Sequence, residues 1–193
     1  GLERELDLEP FLGVMGMPPP EPGVHSTIPP RRWGGNFDCK ELVAGSTLYL
    51  PIPVDGALFS AGDGHAAQGD GEVSGTAIET PAQARLTLDV DEDLQLEWPV
   101  ARVRGAWLAF GLDEHLGRAA KIAVDGMVAL MGRELGVFGG DALVLASVGV
   151  DLIGGSIEDS NQYLQAEMAK WSKVIREAGI KATIFMPQDA PMA

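Results

Sequence analysis

The segment Gly-Asp-Gly-His-Ala-Ala-Gln-Gly-Asp-Gly-Glu at residues 62–72 constrains this chain more than any other. Its closely spaced glycines allow the backbone to approach a ligand while carboxylates and an imidazole converge on that ligand. In an extended segment alternate side chains share a face, which places Asp63 with His65 and Asp70 with Glu72. The pattern predicts a binding site with nitrogen and oxygen donors. A glycine-rich hairpin loop with solvated acids is the alternative interpretation.

The sequence around this segment predicts short β-strands. Residues 46–54 alternate and contain prolines that suit an edge strand or a bulge. Residues 57–61 are a short apolar strand that ends at the glycine-rich segment, and residues 73–79 are a further alternating strand. The charged cluster is therefore expected on a connection between strands, where functional loops commonly lie.

The second half of the chain mixes strand and helix patterns. Residues 85–90 and 94–104 alternate on either side of three acids, which predicts a hairpin with one solvated face. Asp113 can cap a helix over residues 113–135, whose apolar residues recur at helical spacing. The continuous apolar run at residues 142–153 predicts a buried strand.

Charge and cysteine content restrict the partners and the compartment. The formal net charge of -14 argues against nucleic acid and anionic membrane surfaces, because both would repel the chain. A single cysteine, Cys39, excludes an internal disulfide and favours the reducing cytosol. The first residues lack the basic start and apolar centre of a signal peptide. We expect a soluble, cytoplasmic protein, and its charge does not exclude a small neutral substrate.

Several motifs occur in the order found in one known family. They are Phe-Leu-Gly-Val-Met-Gly-Met at 11–17, Glu-Pro-Gly-Val-His at 21–25, Asn-Phe-Asp-Cys-Lys at 36–40, Gly-Ala-Leu-Phe-Ser-Ala-Gly-Asp-Gly-His at 56–65 and Gln-Gly-Asp-Gly-Glu-Val-Ser-Gly-Thr-Ala-Ile-Glu at 68–79. With them, residues 8–152 resemble the acetamidase/formamidase family. The resemblance implies a mainly β, sandwich-like α+β fold with one or two packed helices. It also implies a metal-binding hydrolase that converts short aliphatic amides to a carboxylic acid and ammonia.

The resemblance and the donor chemistry together suggest a metal site. Asp38, Asp63 and His65 are the candidate ligands of a divalent ion, and their nitrogen and oxygen donors suit zinc better than calcium. Glu72 and Glu79 are the candidate catalytic carboxyl groups, which would carry a proton to the departing ammonia. A calcium loop is the structural alternative, but the residues after Asp63 do not follow the EF-hand pattern.

Three further residues are candidates for binding the substrate: His25, Asn36 and Gln68. A loop histidine hydrogen-bonded to the backbone is the alternative interpretation of His25. A cysteine amidase with Cys39 as nucleophile is a second enzymatic hypothesis, although the neighbouring Lys40 would point away from it.

The C-terminal sequence departs from the amidase pattern. Residues 156–182 predict one amphipathic helix after a capping-box-like start, and they resemble the C-terminus of tripartite tricarboxylate transporter solute receptors. We therefore divide the chain into a partial amidase-like domain, residues 1–153, and a helical tail, residues 154–193, interpreted as a fusion. The apolar stripe of this tail predicts a homo-oligomer. A non-catalytic metal-binding remnant, with weak or absent amidase activity, is the alternative function.

Overall fold

The computed structural model describes residues 5–137 and 139–148 of the chain. Contacts within the chain group it into two compact units, Gly1–Leu130 and Met131–Ala193. The described elements are β1 (Phe11–Gly16), β2 (Gly34–Asn36), β3 (Thr47–Tyr49), β4 (Ser60–Ala67), a 3-10 turn (Asp70–Glu72), β5 (Ile78–Glu79), β6 (Val100–Val103), β7 (Ala106–Ala109), α1 (Leu116–Leu135) and α2 (Gly139–Val148). The mainly β, α+β fold expected from the sequence is confirmed.

The first sheet has four antiparallel strands in the order β2-β1-β4-β5. Its register places Phe11 on β1 opposite His65 on β4, and His65 opposite Glu79 on β5. The pairing between β4 and β5 shifts after His65, so the two strands are irregular there. This register brings a histidine and a glutamate from distant sequence segments to one place on the sheet.

A second antiparallel sheet, in the order β3-β6-β7, shares a core with the first. Met15 from β1 packs in this core with Leu42 and with Ala101 and Val103 from β6. Each large apolar side chain buried in this way stabilises the fold by about 1.5–3 kcal/mol. The shared core makes the two sheets a sandwich-like unit that holds β1 and β4 in place.

The helix predicted over residues 113–135 is present as α1. The helix begins at Leu116, three residues after the predicted start, so Asp113 is not its N-cap, and the Asp113 carboxylate accepts the backbone N–H of His115 at 2.8 Å instead. Gly136 ends the helix at a φ of 66°, the left-handed conformation that glycine adopts readily. Neither of the described helices is both long enough and apolar enough to cross a bilayer.

Two of the strand predictions near the glycine-rich segment were wrong in their limits. Strand β4 does not end at residue 61 but runs from Ser60 to Ala67, so Asp63 and His65 lie within a strand and not on a connection. The chain turns earlier, at Ala57 and Leu58, which both have positive φ angles. Only the last two residues of the predicted strand 73–79 pair, as β5.

Two predictions in the second half of the chain were also wrong. Residues 85–90 form no strand, and the segment predicted to pair with them contributes β6, which pairs with β3 and β7 instead. The predicted buried strand is helical from residue 142 to residue 148, within α2. A short apolar run does not distinguish a buried strand from a buried helix. Residues 149–153 and the predicted tail helix lie outside the described residues.

Candidate metal centre

His65 is the centre of the candidate site. It lies on β4 with only 1% of its surface exposed. Its ring packs edge-on against Phe11, with ring centroids 5.1 Å apart and an interplanar angle of 83°. A buried imidazole needs partners for both ring nitrogens, because an unpaired buried polar group is costly.

Two carboxylates face one nitrogen of this ring. The His65 Nε2 atom lies 3.3 Å from Asp63 Oδ2 and 3.4 Å from Glu79 Oε2. Asp63 lies two residues before His65 on β4, so the two side chains share a face, as predicted from the sequence. Glu79 lies opposite His65 on the neighbouring strand β5. The other carboxylate oxygen of Glu79 accepts the backbone N–H of Ala77 at 3.1 Å, which orients the group.

Gln68 fixes the orientation of the histidine. Its Nε2 donates to the backbone carbonyl of Asp38 at 2.6 Å, so its Oε1 faces His65 Nδ1 at 2.9 Å. An amide oxygen can only accept, and this network therefore places a proton on Nδ1. The lone pair of a neutral His65 then points from Nε2 toward two carboxylates. Such an arrangement is repulsive until a proton or a cation lies between them.

Asp38 contributes a buried carboxylate oxygen to the site. Its Oδ1 atom is buried and has no hydrogen-bond partner among the described residues. The backbone N–H of Asp38 donates to the carbonyl of Gly13 at 3.1 Å, which ties this aspartate to β1. A buried carboxylate oxygen without a partner is strongly unfavourable, and a bound cation would satisfy it.

Gly13 creates the space that these carboxylates occupy. A Cβ atom at this position would lie 2.6 Å from Asp38 Oδ1, 2.6 Å from Asp63 Oδ2 and 3.0 Å from His65 Cε1. Sequence reasoning missed this residue. The available signal was a glycine inside an apolar strand, which often marks a close approach of other groups to the backbone.

The donor atoms form two overlapping sets that share His65. One set contains Asp38 and Asp63, the other contains Glu72 and Glu79, and within each set the donor atoms lie within 4.8 Å of one another. An ion with bonds of about 2.0–2.4 Å can bridge atoms at these separations. The residues present therefore fit a divalent cation, and one nitrogen with several oxygens is a donor set that zinc accepts.

The pKa shifts reflect the crowded negative charge. Burial raises the pKa of the Asp38 carboxyl group, and the nearby Asp63 charge adds to that effect. Burial and the charge of Asp38 likewise raise the pKa of Glu72. Burial lowers the pKa of His65, but the Gln68 hydrogen bond and the surrounding carboxylates outweigh it and raise the pKa overall. All three shifts are toward the protonated form of the group.

Three residues of the donor sets also adopt left-handed backbone conformations. The φ angles are 46° at Asp38, 63° at Asp63 and 43° at Glu72. Conformations of this kind cost on the order of 1–3 kcal/mol each in non-glycine residues and cluster at functional sites. The surrounding fold thus holds these carboxylates in positions that the backbone alone would not select.

Asp70 does not share a face with Glu72, contrary to the alternation expected from the sequence. Both residues lie in the 3-10 turn Asp70–Glu72 rather than in a strand. The Asp70 carboxylate instead pairs with Lys40 Nζ at 2.9 Å. This ion pair links the turn that carries Glu72 to the segment that follows Asp38.

The structure does not bring His25 and Asn36 into the donor sets. His25 is an exposed loop residue, and its Nε2 lies 2.7 Å from the backbone carbonyl of Glu21, as the loop-histidine interpretation expected. It lines a cleft of about 590 Å³ together with Trp33 and Trp98. Asn36 lies at the end of β2, two residues before Asp38.

Cys39 has the properties of a structural thiol. It is partly buried, its Sγ donates to Glu41 Oε2 at 3.3 Å, and burial raises its pKa to about 12. Only the thiolate is a strong nucleophile. These properties argue against a cysteine amidase.

We expect the native Cys39 thiol to resist iodoacetamide at pH 8. At that pH about one thiol in ten thousand is ionised when the pKa is about 12. Mass spectrometry of native and denatured protein measures the labelling. Rapid alkylation of the native protein with parallel loss of activity would restore the cysteine hypothesis.

Comparison with known proteins identifies related sequences and structures. A family model described as the Acetamidase/Formamidase family matches residues 22–176, and so extends past residue 152, where the resemblance seen in the motifs ends. An acetamidase of Mycolicibacterium smegmatis is 50% identical over 48 residues, which are 25% of this chain and 12% of that protein. A formamidase of Methylophilus methylotrophus has the same identity and the same coverage of both chains.

Solved structures of acetamidases resemble the fold of this chain. An acetamidase from Yersinia enterocolitica superimposes with a TM-score of 0.68 at 30% identity, over 72% of this chain and 42% of that one. An acetamidase from Bacillus halodurans superimposes with a TM-score of 0.67 at 32% identity, over 74% of this chain and 48% of that one. The matched part of this chain therefore spans less than half the length of these relatives.

Proposed function

Because the chain belongs to the acetamidase/formamidase family, we propose that its His65 centre hydrolyses short aliphatic amides of the formamide and acetamide type to a carboxylic acid and ammonia. One observation carries the proposal: the buried His65 Nε2 atom faces carboxylate oxygens of Asp63 and Glu79, at 3.3 and 3.4 Å. A proton on Nε2 or a bound cation would relieve the repulsion between these groups. The compartment we propose is the cytoplasm, consistent with the single free cysteine.

Asp38, Asp63 and His65 would hold a divalent ion, for which zinc is our proposal. When bound, such an ion supplies Lewis acidity, which polarises an amide carbonyl and makes an attacking water more acidic. The protein prepares this chemistry in two ways. Burial of His65 and the space at Gly13 fix the donors before substrate arrives, and the exposed fraction of the Asp63 side chain, 36%, leaves an approach from solvent.

Proton transfer is the second requirement of amide hydrolysis. The reaction adds the oxygen of water to the carbonyl carbon and breaks the carbon–nitrogen bond, and the nitrogen must gain a proton in order to leave. Glu79 is oriented by the Ala77 N–H and has 52% of its side chain exposed, so it can exchange protons with solvent. Glu72 has a raised pKa because of burial, which favours its protonated, donating form. We assign these two residues to proton transfer.

Gln68, first considered as a substrate-binding residue, is better explained as a positioning residue for His65. Its two hydrogen bonds connect the imidazole to the backbone of Asp38. His25 and Asn36 remain proposed substrate contacts, although the cleft that His25 lines contains neither Asn36 nor a residue of the donor sets.

We expect Gln68→Leu to weaken metal binding or amide turnover by about 10- to 100-fold, the usual effect of removing a group that orients a metal-binding histidine. Calorimetric titration with zinc and an ammonia assay measure the two effects. Gln95→Leu, which removes an exposed amide far along the sequence, is the matched control and should change neither. Equal behaviour of the two variants would contradict a positioning role.

Ammonia release from formamide and acetamide tests the function. We expect release that stops after chelation and resumes when zinc is added to the metal-free protein. A non-catalytic metal-binding protein is the second candidate, because the donor sets contain neither of the proposed substrate contacts His25 and Asn36. Zinc binding without ammonia release from either amide would support that candidate and contradict the hydrolase proposal.

A further inference from the structure

Glu79 lies in a very short strand, which alone holds its side chain weakly. Strand β5 has two residues, and its pairing with β4 is irregular between His65 and Ala67. The Glu79 side chain keeps 52% of its surface exposed, yet its Oε2 atom lies 3.4 Å from Nε2 of the buried His65. An exposed glutamate side chain loses rotamer freedom when it is held in one direction. Contacts outside the ladder must therefore fix this carboxylate beside the imidazole.

The first of these contacts precedes Glu79 in the sequence. Its Oε1 atom accepts the backbone N–H of Ala77 at 3.1 Å. The Thr76 hydroxyl oxygen lies 3.2 Å from the same Oε1 atom and 3.3 Å from the Ala77 carbonyl oxygen. Hydrogen bonds to a carboxylate are charge-assisted and stronger than those between neutral groups. One oxygen of Glu79 is thus held by donors, and the other is left to face His65.

The second contact follows Glu79, at Gly64 on β4. The Thr80 N–H donates to the Gly64 carbonyl at 2.8 Å. A Cβ atom at Gly64 would lie 2.5 Å from the Thr80 carbonyl oxygen and 2.6 Å from the Ala82 Cβ atom, closer than a side chain tolerates. Residues 80–82 therefore cross β4 where only a glycine leaves room for them.

Gly64 is needed for this space and not for an unusual backbone. Its φ angle is not positive, unlike that of Gly71 in the loop that follows. Alanine could adopt the same backbone, so the cost of a side chain would come from the contacts with residues 80–82. These contacts and the ones that precede Glu79 all lie within residues 64–82. The position of Glu79 is therefore set by one continuous part of the chain.

We propose that Gly64 and Thr76 are positioning residues for Glu79, and that they hold its carboxylate beside His65 from the two ends of β5. A Cβ atom at Gly64 would push residues 80–82 away from β4 and carry the adjacent Glu79 with them. Loss of the Thr76 hydroxyl would remove one donor to the carboxylate. The inference rests on the proposed function, because it takes Glu79 as a group that transfers a proton.

Amide hydrogen exchange measured by NMR tests the position of Glu79 independently of catalysis. In Gly64→Ala, the amides of Ala77 and Thr80 should exchange about tenfold faster, the equivalent of about one lost hydrogen bond each. Gly62→Ala on the same strand is the matched control, since a Cβ there meets no atom within 4 Å, and both rates should stay as in the wild type. Unchanged exchange of the Ala77 amide in Gly64→Ala would overturn the proposal.

Turnover of formamide tests what this position does. Gly64→Ala should lower kcat about tenfold and leave the affinity for zinc within about twofold, because the group that moves transfers protons and is not one of the proposed ligands. In a Glu79→Gln background the same substitution should lower kcat no further, since the carboxylate that it positions is already absent. Equal losses of zinc affinity and kcat, or a further loss of similar size in Glu79→Gln, would show general damage to the centre and contradict the proposal.

Thr76→Val gives the same test without a new contact in the sheet. It removes the hydroxyl and keeps the branched shape, so Ala77 exchange should be faster and kcat lower, each by about threefold. Thr76→Ser keeps the hydroxyl and should behave as the wild type does. If Gly64→Ala does not fold, equal behaviour of Thr76→Val and Thr76→Ser overturns the proposal. A wild-type protein that releases no ammonia contradicts the hydrolase proposal instead, and the exchange rates still decide whether Gly64 and Thr76 position Glu79.

Discussion

Replacing His65 with alanine should abolish metal binding and ammonia release together. His65 is the one nitrogen donor that both donor sets contain, and carboxylates replace a nitrogen ligand poorly for zinc. Loss of a group that only hydrogen-bonds to a metal ligand costs about 10- to 100-fold in metal affinity or activity. Loss of the ligand His65 itself should therefore cost more than about 100-fold. Metal analysis of the purified protein and the ammonia assay measure both effects.

Two further variants separate this effect from damage to the fold. His65→Gln keeps much of the buried volume and should also lose metal, because the amide does not reproduce the imidazole donor. His25→Ala removes an exposed loop histidine and should retain the metal. Full metal occupancy in His65→Gln, with unfolding like that of the wild type, would move His65 out of the ligand set.

Gly13→Ala is expected to have the second-largest effect. The added Cβ would lie 2.6 Å from a carboxylate oxygen of both Asp38 and Asp63, so at least one of these groups must move. A displacement of about 1 Å in a catalytic arrangement can cost on the order of 100-fold in rate. We expect a loss of that size in ammonia release, with weaker zinc binding, measured by the ammonia assay and by calorimetry.

The matched control for this prediction is Gly62→Ala on the neighbouring strand. A Cβ at Gly62 meets no atom within 4 Å, although the residue pairs with Val14 in the same sheet. This variant tests the general cost of alanine in the sheet and should keep its activity. If both variants retain full activity, the space at Gly13 has no role in the site.

The alternation of the glycine-rich segment correctly placed Asp63 and His65 on one face, because side-chain direction within a strand is a local property. The helix α1 was also predictable from the spacing of its apolar residues, although it begins at Leu116, three residues after the predicted cap Asp113. The position of Glu79 beside His65 depends on the register between β4 and β5, which follows from tertiary packing. Gly13 and the Gln68 bridge to Asp38 likewise depend on strands that are distant in sequence.

The failed strand prediction at residues 85–90 has a physical explanation. Its alternating leucines satisfy the strand pattern, but the described residues supply no neighbour to pair with them. Strand propensity measures the fit of a side chain to a neighbouring strand rather than an intrinsic backbone preference.

X-ray absorption at the zinc edge tests the central claim most directly, because it reports the atoms that surround the metal. We predict one imidazole nitrogen together with carboxylate oxygens, all at about 2.0–2.2 Å, and no sulfur. The imidazole contribution should disappear in His65→Gln and persist in His25→Ala. A sulfur neighbour at about 2.3 Å, or an unchanged imidazole contribution in His65→Gln, would contradict a metal centre built on His65.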